Sequence, residues 1–499
     1  MEFLLLGLGN VFTITNLFFL LLGTIIGIVM GALPGVGPAL TIALLLPFTF
    51  GMPPEVTLIL LGSAFSGSVF GGSIVAILLN TPGTAGNAAT TFDGHELAKQ
   101  GKAGQALGLA AASSAIGGII SILVLSFFAP PLARMSVHFG PAEQFMLGLL
   151  GLSVVALAAD NNFIKGWISA GMGLLVSMIG LDLISGQERF TFGITYLTDG
   201  ISFIPTMVGL FAISQVIILA LSGGTISSGG NVKGGFLKGA VTALKYRITL
   251  LRSSIIGVLF GTVPALGVYA ASFFAYLTEK RASKEPDKFG KGAPQGVVAP
   301  EAANNAVVGG SLVPTLALGI PGSSTAAVLL GGLMIAGIAP GYRLFTEQAD
   351  MVGTFFVAML IAQLAFFILG GLLARPLSKI VVIPNELLVP GIMLLGVAGA
   401  FTMRNSMADV IVCLIFGVVG YLFIKTKYPI VCFILGFILG PIIEKGFQRA
   451  ILMSDGSYSI FVTRPGSLVL FLLVVVMFII GTTNLLRSQR KNKNTTLDM

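Results

Sequence analysis

Charge is scarce in this sequence. Asp, Glu, Lys and Arg make up 10% of its 499 residues, against about 25% in a soluble domain, whose surface needs them. Hydrophobic residues make up 55%, and mean hydropathy is +0.97. A soluble chain of this length would hold two or three domains. This one has too few charges to cover itself in water, so most of its surface faces lipid. Cysteine is nearly absent too. Cys413 and Cys432 both lie in apolar stretches, which excludes a disulfide framework and a zinc site. His95 and His138 are isolated from each other, and no HExxH motif occurs, so a metal centre has no obvious ligands. The first Lys or Arg is Lys99, so the N-terminus lacks the basic region of a signal peptide. The first apolar run is expected to be mature structure.

Glycine is abundant, at 66 residues, which suits the close packing and the breaks of membrane helices. The net charge is 28 − 20 = +8. The basic residues are scattered between apolar runs, so positive-inside topology explains them better than nucleic-acid binding. A straight crossing needs about 20 apolar residues, and the runs add up to roughly twelve membrane elements. They divide into a first half over 1–222 and a second half over 253–486. Between them lies a basic linker, 223–252, with Lys233, Lys238, Lys245, Arg247 and Arg252 and no acid. The basic tail 487–499 and the linker both read as cytoplasmic. The uncharged segment Ser253–Thr278 is flanked by the linker and by the cluster Lys280, Arg281, Lys284, Lys288 and Lys291. A hairpin entering and leaving on one side keeps both basic flanks inside. We favour that reading over one kinked span. Trp167 fits an interfacial anchor, and Asp160 and Asp182, at the ends of apolar runs, read as interfacial.

The halves resemble each other. Gly31-Ala-Leu-Pro34-Gly35-Val-Gly37 parallels Gly261-Thr-Val-Pro264-Ala-Leu-Gly267, an offset of 264 − 34 = 230 positions. Gly72-Ser73 leads to Pro82-Gly83-Thr84, and Gly310-Ser311 leads to Pro321-Gly322-Ser323, an offset of 321 − 82 = 239. Proline removes a helical donor and clashes with the previous turn, and glycine tolerates the open geometry. Exposed backbone costs several kcal/mol per group in lipid, so such breaks persist only inside protein or beside a cavity. Paired interruptions at corresponding places in two halves point to a transporter binding site. Half-helix N-termini there present free N–H groups and positive dipole ends, which suit carboxylates. Loops at span ends are the plainer reading of the same pairs. The expected fold is therefore an all-α polytopic membrane protein in two repeats, inverted rather than parallel, with Pro/Gly-broken or re-entrant helices.

The candidate substrate-binding residues are Pro34, Gly35 and Gly37, then Asn80, Thr81, Pro82, Gly83 and Thr84, then Pro264 and Gly267, and finally Pro321, Gly322, Ser323, Ser324 and Thr325. Their Ser, Thr and Asn side chains can hydrogen-bond a carboxylate or simply cap the following helix. Glu301, with Asn304 and Asn305 in Ala299-Pro-Glu-Ala-Ala-Asn-Asn305, could hold a coupling cation or a proton, or cap a helix start. Gly23, Gly27, Gly31 and Gly35 recur every fourth residue and read as a packing seam. The nearest basic residues to the breaks are Lys99, Arg252, Lys280 and Arg343, all at the edges of apolar runs. The site is therefore expected to bind an anion without a buried Lys or Arg. An intramembrane enzyme would need paired acids, a Ser/His pair or a metal cluster at depth. A channel would need a polar-lined pore. Neither fits as well as a secondary transporter.

These motifs resemble those of the tripartite tricarboxylate transporter family, large membrane subunit (TctA). The resemblance is carried by Gly31-Ala-Leu-Pro-Gly-Val-Gly-Pro38, by Leu79-Asn-Thr-Pro-Gly-Thr84 with Asp93-Gly94, by Glu279-Lys-Arg-Ala-Ser-Lys284, by Ala299-Pro-Glu-Ala-Ala-Asn-Asn305 and by Leu318-Gly-Ile-Pro-Gly-Ser-Ser324. It implies uptake of tri- or dicarboxylates across the bacterial inner membrane, with the C-terminus cytoplasmic. It implies a cation gradient, Na⁺ or H⁺, as the driving force and no cofactor. The implied partners are a small four-helix membrane subunit and a periplasmic solute-binding protein. The sequence departs from the family at Gly86-Asn87, where more variable small residues are expected. Ala336-Gly337 stands where a His-Gly pair is common in the family, so no proton role for that His carries over.

Overall fold

The computed structural model describes residues 2–33, 36–135, 139–158, 163–182, 184–222, 235–263, 267–380 and 385–495. It is a helical bundle with one short two-stranded ladder. Among the described residues, eight helices are long and apolar enough to cross a membrane, and four shorter apolar helices accompany them. The first half contains α1 (Glu2–Val11), α2 (Ile14–Gly31), α3 (Gly37–Leu45), α4 (Pro54–Leu79), α5 (Thr90–Leu97), α6 (Ala103–Met135), α7 (Pro141–Ala158), α8 (Phe163–Ser177) and α9 (Phe203–Leu221). The second half contains α10 (Phe236–Ala243), α11 (Arg247–Thr262), α12 (Gly267–Ala282), α13 (Gln295–Leu318), α14 (Ser324–Ile335) and α15 (Ala349–Ile380). It ends with α16 (Asn385–Arg404), α17 (Met407–Thr426), α18 (Ile430–Met453) and α19 (Pro465–Thr495).

Small residues set the packing. Gly23, Gly27 and Gly31 of α2 lie against Ser63, Ala64 and Ser68 of α4 in the same order, so the two helices run parallel. A Cβ on Gly31 would sit 2.1 Å from the Ser68 carbonyl oxygen. The fourth member of the seam, Gly35, lies outside the described residues. In the second half, Gly257 and Gly261 of α11 lie against Ala303 and Val307 of α13, again parallel. The chain then turns back. Glu279, late in α12, accepts from Thr249 Oγ1 at 2.9 Å and pairs with Arg252, both early in α11. The segment from Ser253 to Thr278 is thus a hairpin of two helices.

The halves interlock through α4 and α13. Ser73 of α4 bonds Glu301 of α13, while Ile77 and Val297 flank Gly94, so α4 and α13 run antiparallel. Each is covered by a helix from the opposite half. On α13 lies α6, parallel, through Ser114 to Glu301, Gly117 on Ala302 and Ser121 Oγ to the Gly309 N–H. On α4 lies α15, also parallel, through Phe355 at Gly62, Gln363 to Ser66, and Phe366 stacked on Phe70 with ring centroids 5.0 Å apart. Along their facing surfaces α4 and α13 are buried from end to end, so the centre of the molecule is protein packed on protein.

Two regions carry more structure than the sequence shows. From Phe236 on, the basic linker is helical: Gly239 of α10 packs on Gln105 of α6, and Arg247 already opens α11. Asp182 closes a turn between the short strands β1 (Gly180–Leu181) and β2 (Glu188–Arg189), where it accepts from the N–H groups of Ile184 and Ser185 and from Gln448. These bonds, that of Ser185 first, hold its carboxyl well below the usual carboxylate range. Asp160 and His138 lie outside the described residues.

The α6–α13 contact supplies a test. A Cβ on Gly117 would lie 2.2 Å from the Ala302 carbonyl oxygen, whereas one on Gly9 meets nothing within 4 Å. Gly117→Ala is expected to destabilise by about 1–3 kcal/mol through overpacking, and Gly9→Ala to leave stability nearly unchanged. Thermal unfolding in one detergent measures both. Equal melting temperatures for the two variants would contradict the packing described.

Candidate functional site

Segments from all the Pro/Gly breaks meet around one cavity of about 380 Å³, within the range of roughly 300–1,000 Å³ usual for small-molecule sites. Gly37, which opens α3 with φ +58°, stands on one side with Pro38. Gly83, Thr84, Ala85 and Gly86 come from the second break, and Val268 follows Gly267 at the start of α12. From the fourth break come Ser324 and Thr325, the first two residues of α14. The N-terminal ends of α3, α12 and α14 therefore surround the same space. Free N–H groups at such ends favour an anion. No charged side chain is among the residues lining it.

Not every candidate lines the cavity. Pro34, Gly35 and Pro264 lie outside the described residues. Asn80 caps α4 in the left-handed region at φ +57°, and Asn80, Thr81 and Pro82 are exposed. Pro321 and Gly322 are buried behind the lining. Ser323 caps α14, its Oγ accepting from the Ala326 N–H at 3.1 Å. The second and fourth breaks are built alike. Gly83 donates its N–H to the Gly72 carbonyl and abuts Gly31; Gly322 donates to the Ser311 carbonyl and abuts Gly261; both bonds are 3.3 Å. Sequence reasoning missed Ser214 and Gln215 of α9, which also line the space. No Pro-Gly motif marks them: they follow a π-helical turn, Gly209–Ile213, inside α9.

Glu301 lies in the second turn of α13, fully buried, and is not a helix cap. Four side-chain donors fill its two oxygens. Ser73 and Ser114 donate to Oε2 at 2.6 and 2.8 Å, and Thr90 and Asn87 Nδ2 to Oε1 at 2.5 and 3.2 Å. A carboxylate so provided needs no basic partner, and among the described residues Glu301 has none. Asn304, one turn further on, lines the cavity. Its Oδ1 and Nδ2 are buried and have no hydrogen-bond partner. An unpaired buried amide costs about 1–3 kcal/mol, so Asn304 brings unspent hydrogen-bonding capacity to the cavity wall. Asn305 donates Nδ2 to the Glu301 carbonyl at 3.3 Å, and its Oδ1 is also unpaired.

Asp93 locks the site from behind. Its Oδ1 accepts the N–H groups of Gly290, Gly292 and Ala293 at 2.7–2.9 Å, and its Oδ2 accepts the Tyr276 hydroxyl at 2.9 Å. This ties α5 to the α12–α13 connection. Among the described residues no group of three or more His, Cys, Asp or Glu could hold a metal ion.

The sequence comparisons agree with this geometry. The profile of the tripartite tricarboxylate transporter TctA family matches residues 17–435. The chain belongs to that family. TctA proteins are the large membrane subunits of tripartite transporters, so the chain is a multi-pass membrane protein that works with other subunits. It is 35% identical over 485 residues, 97% of each chain, to an uncharacterized 52.8 kDa protein in the TAR-I ttuC' 3' region of Agrobacterium vitis. It is 36% identical over 234 residues, 47% of this chain and 97% of the relative, to an uncharacterized protein in the TAR-II ttuC' 3' region of the same organism. No solved structure matches.

The Asp93 clamp yields a prediction. Asp93→Ala leaves three backbone N–H groups and a phenol unpaired and is expected to cost at least about 3 kcal/mol, at roughly 1–3 kcal/mol per buried donor. Asp93→Asn keeps an acceptor for the N–H groups and should cost less than half as much. Chemical unfolding of both variants decides, and equal losses would show that the clamp does not matter.

Proposed function

We propose that this TctA-family chain imports small tri- or dicarboxylates, binding them in the cavity where the four breaks meet. The observation that carries this is the pairing of three helix N-termini with the orphaned amide of Asn304 around one uncharged space. Each helix end contributes about 0.3–1 kcal/mol towards a bound anion, up to about 2 when partly buried. Several ends, with hydrogen bonds from Thr84, Ser324, Thr325 and Asn304, suit micromolar affinity, about −8 kcal/mol. A site without Lys or Arg also releases its anion readily.

Import is driven by a cation gradient, Na⁺ or H⁺, with Glu301, Asn304 and Asn305 as the coupling region. A periplasmic solute-binding protein delivers the substrate, and a small four-helix membrane subunit completes the complex in the bacterial inner membrane. The C-terminal tail is cytoplasmic, as its basic residues suggest. Two inverted repeats underlie the mechanism. Antiparallel α4 and α13, each covered by a parallel helix of the other half, support that reading, as do the matched bonds at Gly83 and Gly322. Such a pair generates two exchangeable gates around one site.

Uptake of radiolabelled citrate, malate and tartrate into vesicles, with the partner subunits present and with or without Na⁺ and H⁺ gradients, tests this reading. At least one carboxylate should accumulate against its gradient, and collapse of both cation gradients should stop it. Asn304→Leu should abolish accumulation while leaving the chain as stable as before or more so, because it removes an unpaired amide. Arg343→Gln should have little effect, since Arg343 is exposed and pairs only with Glu347 at 3.7 Å. Accumulation of none of the acids, or accumulation indifferent to both gradients, would refute coupled carboxylate import.

A further inference from the structure

Glu301 and the cavity are joined by a single side chain. Thr84, in the cavity wall, donates its hydroxyl proton to Asn87 Oδ1 at 2.6 Å, and Asn87 Nδ2 donates to Glu301 Oε1 at 3.2 Å. A hydroxyl has one proton to give. With that proton committed to Asn87, Thr84 turns only lone pairs toward the cavity, and a carboxylate there meets an acceptor. The contacts around Glu301 are direct, from 2.5 to 3.2 Å. Each Glu301 oxygen accepts two of them.

We infer that Glu301 is the proton-coupling site, and that through Asn87 it switches Thr84 between repelling and binding a carboxylate. The inference rests on the transporter reading above and names its cation as H⁺. One proton passes from a hydronium ion to Glu301 Oε1: the hydronium O–H bond breaks, leaving water, as the carboxyl O–H bond forms, and no other covalent bond changes. That oxygen now donates, and its remaining lone pair serves Thr90. The Asn87 amide turns over, so that Nδ2 donates to Thr84 and Oδ1 accepts from Glu301 and from Ser73. Before the turn the Ser73 hydroxyl accepts from Asn87 Nδ2 at 3.0 Å; after it, that hydroxyl points its proton away from Glu301 Oε2, leaving Ser114 there. The Thr84 proton is released to point into the cavity, where a carboxylate accepts it. The added proton cancels one carboxylate charge, so the loaded site carries one negative charge fewer into the membrane. By linkage, the bound anion raises the affinity for the proton by the same factor.

Among the described residues on these elements, no other titratable group competes for this role. Glu301 is the one titratable residue of α13. α4 carries only Glu55, bonded to Asn16, and α6 only Arg134 in its last turn. On α5, Asp93 is held by Tyr276 and backbone N–H groups, His95 by the Ile77 carbonyl, and exposed Glu96 by Lys99. α11 carries Arg247 at its first residue and Arg252, which pairs with Glu279 of α12. α12 adds Tyr269, Tyr276 on Asp93, and Lys280 and Arg281 in its last turn.

Infrared difference spectroscopy of the full chain in lipid nanodiscs tests this without knowledge of the substrate. Acidification in Na⁺-free buffer should raise the C=O stretch of a protonated buried carboxyl, and Glu301→Gln should abolish it. Thr84→Val does not touch Glu301, yet should shift that band, and should lose this effect in an Asn87→Leu background. Structural support from Thr84 alone would not move the band through Asn87. The proposal is overturned if no band is lost in Glu301→Gln, if the Glu301 carboxylate bands respond to Na⁺ instead of pH, or if Thr84→Val leaves the band in place. Failure of every acid in the uptake assay would refute transport and leave these spectra unaffected, so the two failures are separable.

Discussion

A helix broken inside a membrane has no water to satisfy its freed backbone groups. This chain meets that constraint by placing its breaks against one another. Gly83 and Gly322 hand their N–H groups to carbonyls of the helices just left. The free ends that remain face a common cavity. The close approach this requires explains the small residues around it: Gly31 on Ser68, Gly261 on Val307, Gly117 on Ala302. The proposed anion site draws on the same constraint, because unspent N–H groups at helix ends are what such a cavity has to offer.

The second feature of the centre is a buried acid held by neutral donors. Burying a charge without partners is costly. Ser73, Asn87, Thr90 and Ser114 give Glu301 four partners from both sides of the α4–α13 contact. Because those donors belong to the first half and the acid to the second, any change at Glu301 acts on the contact between halves. Thr84 and Asn87 place the cavity within two hydrogen bonds of that contact. The cavity and a titratable group are thereby neighbours without touching.

The apolar runs, the breaks and the packing seam were legible in the sequence, because each is written locally. Low charge marks a span, Pro-Gly marks a break, and glycine at every fourth position marks a face. The hairpin of α11 and α12 was legible from the basic flanks of an uncharged segment. The cage of Glu301 was not. Its donors lie 187 to 228 residues away, and serine or threonine in a helix more often bonds its own backbone, as Ser63 and Thr24 do here. Asp93 was equally silent, since its partners are mostly backbone N–H groups that every residue carries. Asn80, Thr81 and Pro82 show the converse: a motif can mark the break correctly while only its last residues reach the cavity.

The central claim is that both halves contribute to one carboxylate site. Ala85 and Ser324 line the cavity from opposite halves, and the native Cys413 and Cys432 are buried, leaving a quiet background for thiol labelling. The direct measurement is the labelling rate of Ala85→Cys and Ser324→Cys, each in the full chain, against the concentration of a transported carboxylate. The account predicts that the same acid protects both cysteines with the same half-saturating concentration. Protection of one without the other, or of neither, would contradict a shared site.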